Sequence, residues 1–114
     1  MDLRAHIAQT YGVEGEHPFS GDAATCVFHH QSNRKWFAVI MEIPGAKLGL
    51  SGDSSIRVLN VKCDIRLIGS FRQENGIFPA YHMSKAHWLT VALDGTVDAD
   101  KIKFLLDMSY DLTK

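Results

Sequence analysis

The chain lacks the features that mark disulfide-stapled, membrane-spanning and strongly charged proteins. It has two cysteines in 114 residues, Cys26 and Cys63, too few for a disulfide framework. No apolar run reaches the length of about eighteen residues that a membrane-spanning helix needs. The formal net charge of −1 argues against strong general affinity for nucleic acid. The first residues lack the apolar segment of a secretory signal, and we therefore expect a cytoplasmic protein.

Recognisable metal-binding and catalytic motifs are also missing. The adjacent pair His29 and His30 and the spaced pair His82 and His87 lack the spacing of zinc ligands. Strand alternation would also send His29 and His30 to opposite faces of a sheet. Ser84 does not lie in a Gly-x-Ser-x-Gly elbow. We therefore predict no metal, no cofactor and no catalytic residue, and an enzyme is less favoured than a binding protein.

The composition is that of one globular domain covering residues 1–114. Hydrophobic residues make up 46% of the chain and charged residues 22%, which is ordinary for a folded protein of this size. A chain of this length can bury a core without covalent staples. Both cysteines lie among apolar strand residues, so we interpret them as small buried hydrophobes with free thiols.

Three segments carry helical periodicity. Gly12 suits the C-terminal cap of the first, Asp64 is a candidate N-cap of the second, and Thr96 or Asp98 can cap the third. The predicted buried positions are Leu3, Ile7, Ala8 and Tyr11 in the first helix, Ile65, Ile68 and Phe71 in the second, and Ile102, Leu105, Leu106 and Leu112 in the third.

Five runs rich in β-branched and aromatic residues predict strands at 24–30, 35–43, 56–62, 76–81 and 88–93. Four polar residues join the first two runs in a hairpin, and a glycine-rich loop follows at 44–55. The order is α-β-β-(loop)-β-α-β-β-α. Hairpin-joined strands interleaved with helices favour the α+β class, with an antiparallel β-sheet and helices packed on one face.

The connection Pro79–Trp88 is the most unusual segment, since it carries two histidines, a lysine, a tyrosine and a tryptophan within ten residues. Plain turns favour Gly, Asn, Asp or Pro instead. Either these side chains satisfy the backbone of an awkward connection while the tryptophan fills the core, or they form an anion or nucleotide site with a stacking face. The residues predicted to contact a ligand or nucleic acid are Lys62, His82, Lys85, His87 and Trp88.

Basic residues are concentrated in the middle of the chain. Residues 56–88 hold five basic and two acidic residues, whereas residues 94–114 hold three lysines and five aspartates. Contacts from lysine and arginine to phosphates supply most non-specific affinity for DNA and weaken as salt rises. The basic residues of the middle segment are Arg57, Lys62, Arg66, Arg72 and Lys85.

Several of these segments together resemble the MmcQ/YjbR family. The resemblance is carried by Val58–Asp64, Pro79–Trp88, His17-Pro18-Phe19, Lys35–Ala38 and the ending Leu106–Tyr110, in the family's order. It implies a fold similar to that of CyaY, the bacterial frataxin homologue, in which helices cover a sheet. It also implies the architecture that has been described as a "double wing" DNA-binding motif.

From these observations we expect a small cytoplasmic binding protein of the MmcQ/YjbR type, with no membrane partner. DNA, bound weakly and in a salt-sensitive way through a modest basic surface, is the first partner to consider. The alternative is an adaptor for a small ligand or peptide, with a polar pocket around His82, Lys85 and His87 and no nucleic-acid role.

Overall fold

A single antiparallel sheet of five strands organises the computed structural model, which describes residues 1–114. The elements in chain order are α1 (Leu3–Tyr11), β1 (Cys26–His29), β2 (Trp36–Pro44), a 3-10 turn (Gly45–Leu48), β3 (Ser55–Lys62), α2 (Ile68–Phe71), β4 (Ile77–Pro79), β5 (Trp88–Ala92) and α3 (Ala99–Thr113). The strands lie in the order β1-β2-β3-β5-β4. The predicted α+β fold with an antiparallel sheet is confirmed. None of the helices is long and apolar enough to cross a membrane.

The two faces of the sheet are covered differently. The helix face packs against α1, α2 and α3 in a core of 19 buried residues, in which Ile7, Leu59 and Leu105 are fully buried. The opposite face, here called the open face, carries a smaller cluster of five buried residues. Loop segments and the 3-10 turn cover this cluster, and none of the three α-helices packs on it. The five residues are Val27, Val39, Met41, Ile43 and Val58.

The ends of α1 and α3 follow the predicted caps. Asp2 accepts a hydrogen bond from the Ala5 amide at the start of α1, and Gly12 ends that helix with a φ of 68°. Asp98 rather than Thr96 caps α3, because its carboxylate accepts from the Lys101 amide at 2.8 Å.

The predicted buried stripe of α3 is wrong at its last position. Leu112 is 42% exposed, whereas Ser109 and Thr113 are buried. Ser109 and Thr113 are four residues apart and so lie on one side of the helix, one turn after the other. The sheet side of the last turns therefore carries hydroxyl groups, which a hydrophobic pattern cannot locate.

The second helix is shorter than its sequence pattern predicts. The three residues after Asp64 form a hydrogen-bonded turn rather than helix, since the Leu67 amide donates to the Asp64 carbonyl at 2.9 Å. Within this turn, Asp64 Oδ1 accepts from the Arg66 amide at 2.9 Å and Oδ2 pairs with the Arg66 guanidinium at 2.7 Å. The bond to the amide two residues on is an Asx turn, which organises this turn, although the helix begins only at Ile68. Ile65 is 60% exposed in consequence. Only residues 68–71 form α2.

A β-bulge changes the direction in which the side chains at the beginning of β2 point. Phe28 pairs with Ala38, but the next residue of β1, His29, pairs with Trp36, so Phe37 is the extra residue. Phe37 and Ala38 consequently both face the helices, whereas Trp36 packs against the cluster on the open face. An aromatic side chain thereby reaches the face that no helix covers.

Ser109 of α3 replaces one rung of the sheet beside this bulge. The ladder between β2 and β3 ends at the pair Ala38 and Val61. Beyond it, the Lys62 amide donates to Ser109 Oγ at 2.8 Å, and the serine hydroxyl donates to the Phe37 carbonyl at 2.6 Å. One buried hydroxyl thus satisfies a backbone donor and a backbone acceptor, and it ties α3 to both strands.

We expect Ser109→Ala to lower the free energy of unfolding by about 1–2 kcal/mol, because each orphaned backbone group costs about that much and the two strands can close part of the gap. Urea unfolding followed by circular dichroism measures the change. Ser70→Ala is the matched control, since Ser70 is exposed and makes no side-chain hydrogen bond. Equal stabilities of the two variants would contradict this role of Ser109.

Candidate ligand-binding cleft on the open face

The connection Pro79–Trp88, here called the strap, folds over the open face and is held by two buried polar side chains. Asn60 and Thr90 are cross-strand neighbours on β3 and β5, and both are fully buried. The Tyr81 amide donates to Thr90 Oγ1 at 2.9 Å, and Asn60 Nδ2 donates to the Tyr81 carbonyl at 2.9 Å. The Thr90 hydroxyl donates to Asn60 Oδ1 at 2.6 Å, which completes the network.

Further contacts fix the rest of the strap. The Lys85 ammonium donates to the Ala80 carbonyl at 2.9 Å, and the Arg72 guanidinium donates to the Lys85 carbonyl. The Cys63 amide donates to the His87 carbonyl at 2.8 Å. These backbone groups of the strap therefore bond to groups other than imidazoles. The rings of His82 and His87 make no hydrogen bond within the chain.

A cleft of about 430 Å³ opens between the strap and the loop that precedes β1. Its floor is the open face of the sheet, and its walls come from the strap, from the loop and from the residue that the bulge turns outward. Two aromatic and two thioether side chains give it an apolar character. The lining residues are Phe19, Asp22, Thr25, Trp36, Val39, Met41, Asn60, His82 and Met83.

His82 stands at the rim of this cleft in an unusual conformation. Its φ is 62°, in the left-handed region that side chains other than glycine seldom occupy. Its ring lies 3.9 Å from the Tyr81 ring, centroid to centroid, and the residue is exposed. Backbone strain of this kind concentrates at ligand clamps and functional sites, which makes His82 a functional candidate.

The loop wall presents an ionised carboxylate. Asp22 Oδ1 accepts from the amides of Ala24 and Thr25, and Oδ2 accepts from the Thr25 hydroxyl at 2.6 Å. These hydrogen bonds hold the pKa of Asp22 below its ordinary value. The exposed carboxylate is therefore charged at neutral pH, and it forms no ion pair within the chain. Phe19 lies beside it and meets the Trp36 ring edge-on, with 6.2 Å between the ring centroids.

The structure does not bring the five sequence-predicted site residues together. His82 lines the cleft. Lys62 and Trp88 are cross-strand neighbours at the end of the sheet, and both are half-buried. Lys85 lines a separate hollow with Lys47, and its ammonium donates a hydrogen bond to the strap backbone. His87 is exposed at the end of the strap, so the predicted polar pocket around His82, Lys85 and His87 is divided between different surfaces.

The remaining residues of the cleft carry weak sequence signals. Trp36 reaches it only because of the bulge, and no residue pattern marks that bulge. Phe19 and Asp22 lie in a loop whose path depends on an isolated bridge between Glu16 and Val27. Asn60 stands out more, since an amide in the middle of an apolar strand needs a buried partner.

The other histidines have structural partners. His29 Nδ1 lies 2.9 Å from the His30 carbonyl, and its Nε2 lies 2.5 Å from the Glu16 carboxylate. His30 Nε2 lies 2.8 Å from Thr113 Oγ1 at the end of α3. No group of three or more His, Cys, Asp and Glu side chains is placed to hold a metal ion. These histidines therefore connect elements of the fold.

Both cysteines are buried and free, as predicted. Burial, together with the nearby Asp64 carboxylate, raises the pKa of the Cys63 thiol to about 11. Burial also raises the pKa of Cys26. Since only a thiolate attacks a disulfide reagent, both thiols are poorly reactive in the folded chain.

We expect an aromatic disulfide reagent at pH 8 to label the folded protein slowly and to label two thiols at once after denaturation. At a pKa of about 11, the Cys63 thiolate fraction at pH 8 is on the order of one in a thousand, and it rises with pH. Absorbance of the released thiol measures the rate, and Cys26→Ser assigns each phase. Prompt labelling of either thiol in the folded state would contradict this assignment.

The fold and the cleft define a small α+β protein built on one antiparallel sheet, with helices on one face and a strapped, open face on the other. The YjbR family profile matches residues 8–112. The chain belongs to the YjbR family.

Two relatives show how far the similarity extends. YyaQ of Bacillus subtilis is 34% identical over 113 residues, which cover 99% of this chain and 96% of the relative. YjbR of Escherichia coli is 44% identical over 39 residues, or 34% of this chain and 33% of the relative. The first similarity spans nearly the whole chain, and the second is confined to one segment.

Solved structures support the same assignment. A crystal structure of a Pseudomonas syringae protein superposes with a TM-score of 0.97 at 38% identity, covering 98% of this chain and 96% of that one. A Deinococcus radiodurans protein with the family domain DUF419 superposes with a TM-score of 0.65 at 32% identity, covering 88% of this chain and 67% of that one. The resemblance seen in the sequence motifs is thereby confirmed.

The segments that carry that resemblance have identifiable roles in this fold. Val58–Asp64 supplies Asn60, Pro79–Trp88 forms the strap that Asn60 holds, and Leu106–Tyr110 supplies Ser109 between two strands. They specify how the strap and the last helix attach to the sheet. They do not by themselves specify a ligand.

Proposed function

We propose that this protein binds a small molecule in the cleft between the strap and the loop before β1. The observation that carries the proposal is the combination at this site of an apolar floor, the half-buried Trp36, and His82 in a left-handed conformation whose ring makes no hydrogen bond within the chain. Small-molecule sites are typically concave and apolar with a few well-placed polar groups, and span about 300–1,000 Å³.

The polar groups of the cleft are placed to orient a ligand. The His82 ring is free to donate or accept at the rim, and Asp22 offers a fixed acceptor on the facing loop. The floor contributes Val39 and Met41, which supply apolar contact without competing polar atoms. Because the Asn60–Thr90 network already anchors the strap, a ligand would meet a preformed site and little ordering entropy would be lost on binding.

The test is a set of small aromatic, aliphatic and charged probes titrated into the protein and followed by backbone amide NMR. We expect saturable shifts that cluster at Trp36, Met41 and Met83. Trp36→Leu should weaken binding by roughly tenfold, the worth of one well-buried aromatic contact. Trp88→Leu is the matched control and should leave affinity unchanged, because Trp88 does not line the cleft. Shifts that cluster elsewhere, or equal effects of the two substitutions, would contradict the proposal.

DNA is a second candidate, and one observation favours it. Lys62 and Trp88 lie side by side on β3 and β5 and are both partly exposed, so a cation is next to a stacking surface, as in many single-strand binding sites. The surface around them is small. Arg66 is paired with Asp64. Arg57 lies at the other end of β3, roughly 17 Å from Lys62 at about 3.3 Å per residue.

Titration of fluorescently labelled DNA at low and moderate salt tests this candidate. We expect weak binding that falls as salt rises and that Lys62→Ala reduces, with a further loss in the Lys62→Ala/Lys85→Ala double variant. The single variant is decisive, since Lys85 also supports the strap. Lys103→Ala on α3 is the control. Absence of binding at low salt, or binding indifferent to Lys62, would overturn the DNA candidate.

A further inference from the structure

The permanent charge among the residues that line the cleft is negative. Of the nine lining residues, Asp22 is the carboxylate, and none is a lysine or an arginine. The groups that bond to Asp22 are two backbone amides and one hydroxyl, which are all neutral. They position the carboxylate without cancelling its charge. The imidazole of His17 also acts on Asp22 electrostatically, from outside the cleft lining. A carboxylate has about four acceptor positions, so at least one remains for a ligand.

The surfaces beside this carboxylate suit a positive charge. Phe19 is 46% exposed and Trp36 is half-buried. The face of an aromatic ring carries partial negative charge and attracts ammonium and guanidinium groups, with tryptophan the strongest partner. Met41 and Met83 add polarisable sulfur to the same surface. Phosphate and carboxylate groups would be repelled by the same features.

We propose that the ligand of this cleft is an organic cation, a quaternary or protonated amine or a guanidinium, held against the Trp36 and Phe19 rings and beside the Asp22 carboxylate. This rests on the proposed small-molecule function and names the class of ligand. The hydrocarbon part of such a ligand would lie on Val39 and Met41, and its polar substituent would face His82. The cleft has room for a compact molecule of this kind.

A matched pair of probes separates charge from shape. Choline and its neutral carbon isostere 3,3-dimethylbutan-1-ol have nearly the same shape and differ in charge. Amide NMR titrations of the intact chain should give choline the tighter binding by about tenfold, the scale of a cation–π contact with an added ion pair. Butylammonium and butylguanidinium then rank the three head groups, and butyrate serves as the anion.

Substitutions test which residues cause the preference for choline over its neutral isostere. Asp22→Asn keeps an acceptor for the loop amides and removes the charge, so choline should bind about three- to tenfold more weakly while the neutral isostere is unaffected. Asp53→Asn removes an exposed carboxylate away from the cleft, and it should change the affinity for neither choline nor the isostere. If Asp22→Asn fails to fold, the salt dependence of binding to the unsubstituted protein serves as the test instead. Sodium chloride should weaken the binding of choline and leave the binding of the isostere unchanged.

The outcomes are distinguishable. Equal affinity for choline and its isostere, or equal effects of Asp22→Asn on both, would overturn the cation assignment while leaving the small-molecule function in place. Binding of butyrate alone in the cleft would do the same. If no probe of any charge shifts the cleft residues, the proposed function falls together with the cation assignment.

Discussion

Replacing Asn60 by alanine is expected to destabilise the fold by roughly 2–5 kcal/mol, because it orphans two polar groups at about 1–3 kcal/mol each and leaves a small cavity. The Tyr81 carbonyl loses its donor and the Thr90 hydroxyl loses its acceptor. Both losses fall on the anchor of the strap. The change is a large share of the 5–15 kcal/mol that ordinarily holds a domain together.

Urea unfolding measures this loss, and hydrogen exchange of the Tyr81 amide shows where it acts. Thr90→Ser is the matched control, since it keeps the hydroxyl that bonds Tyr81 and Asn60, and it should cost much less than Asn60→Ala. Thr90→Val supplies the second arm of a double-mutant cycle. We expect the double variant to lose less than the two single losses combined, because the groups share one network. Full additivity would show that Asn60 and Thr90 act separately.

The parts of the fold that were predictable from the sequence depend on local chemistry. The caps at Gly12 and Asp98 follow from the backbone groups that a helix end exposes, and each is confirmed. The strands were found because β-branched runs between turn signals have few alternatives. The short α2 was missed because residues 65–67 form a hydrogen-bonded turn, and the spacing of Ile65, Ile68 and Phe71 does not distinguish such a turn from helix.

The candidate cleft was less predictable because its parts meet only in three dimensions. Phe19, Trp36 and Met83 come from a loop, a bulged strand and the strap. Their proximity depends on the extra residue at Phe37 and on the strap's attachment to Asn60. The strap was recognised as unusual from its composition. Its basic and aromatic side chains suggested one site, yet a short connection that crosses a sheet presents successive residues to different surfaces.

Replacing Gly76 by alanine is expected to cost about 2–5 kcal/mol, from two separate causes. Gly76 has a φ of 84°, and an L-residue in the left-handed region costs about 1–2 kcal/mol. A Cβ at this position would also lie 2.6 Å from Val97 Cγ2 and 3.1 Å from Thr96 Cγ2, and overpacking of that kind costs about 1–3 kcal/mol. Val97 belongs to the core on the helix face, so the clash disturbs the packing between the sheet and the segment leading into α3.

Gly95→Ala separates the two causes. Gly95 has a similar φ of 92°, but nothing lies within 4 Å of a Cβ built there. Its substitution should therefore cost about 1–2 kcal/mol, the backbone contribution alone. Urea unfolding of the two variants under the same conditions gives the difference, which isolates the steric contribution at Gly76. If the two losses are equal, Val97 and Thr96 move aside freely, and the attachment of β4 to α3 is looser than this packing implies.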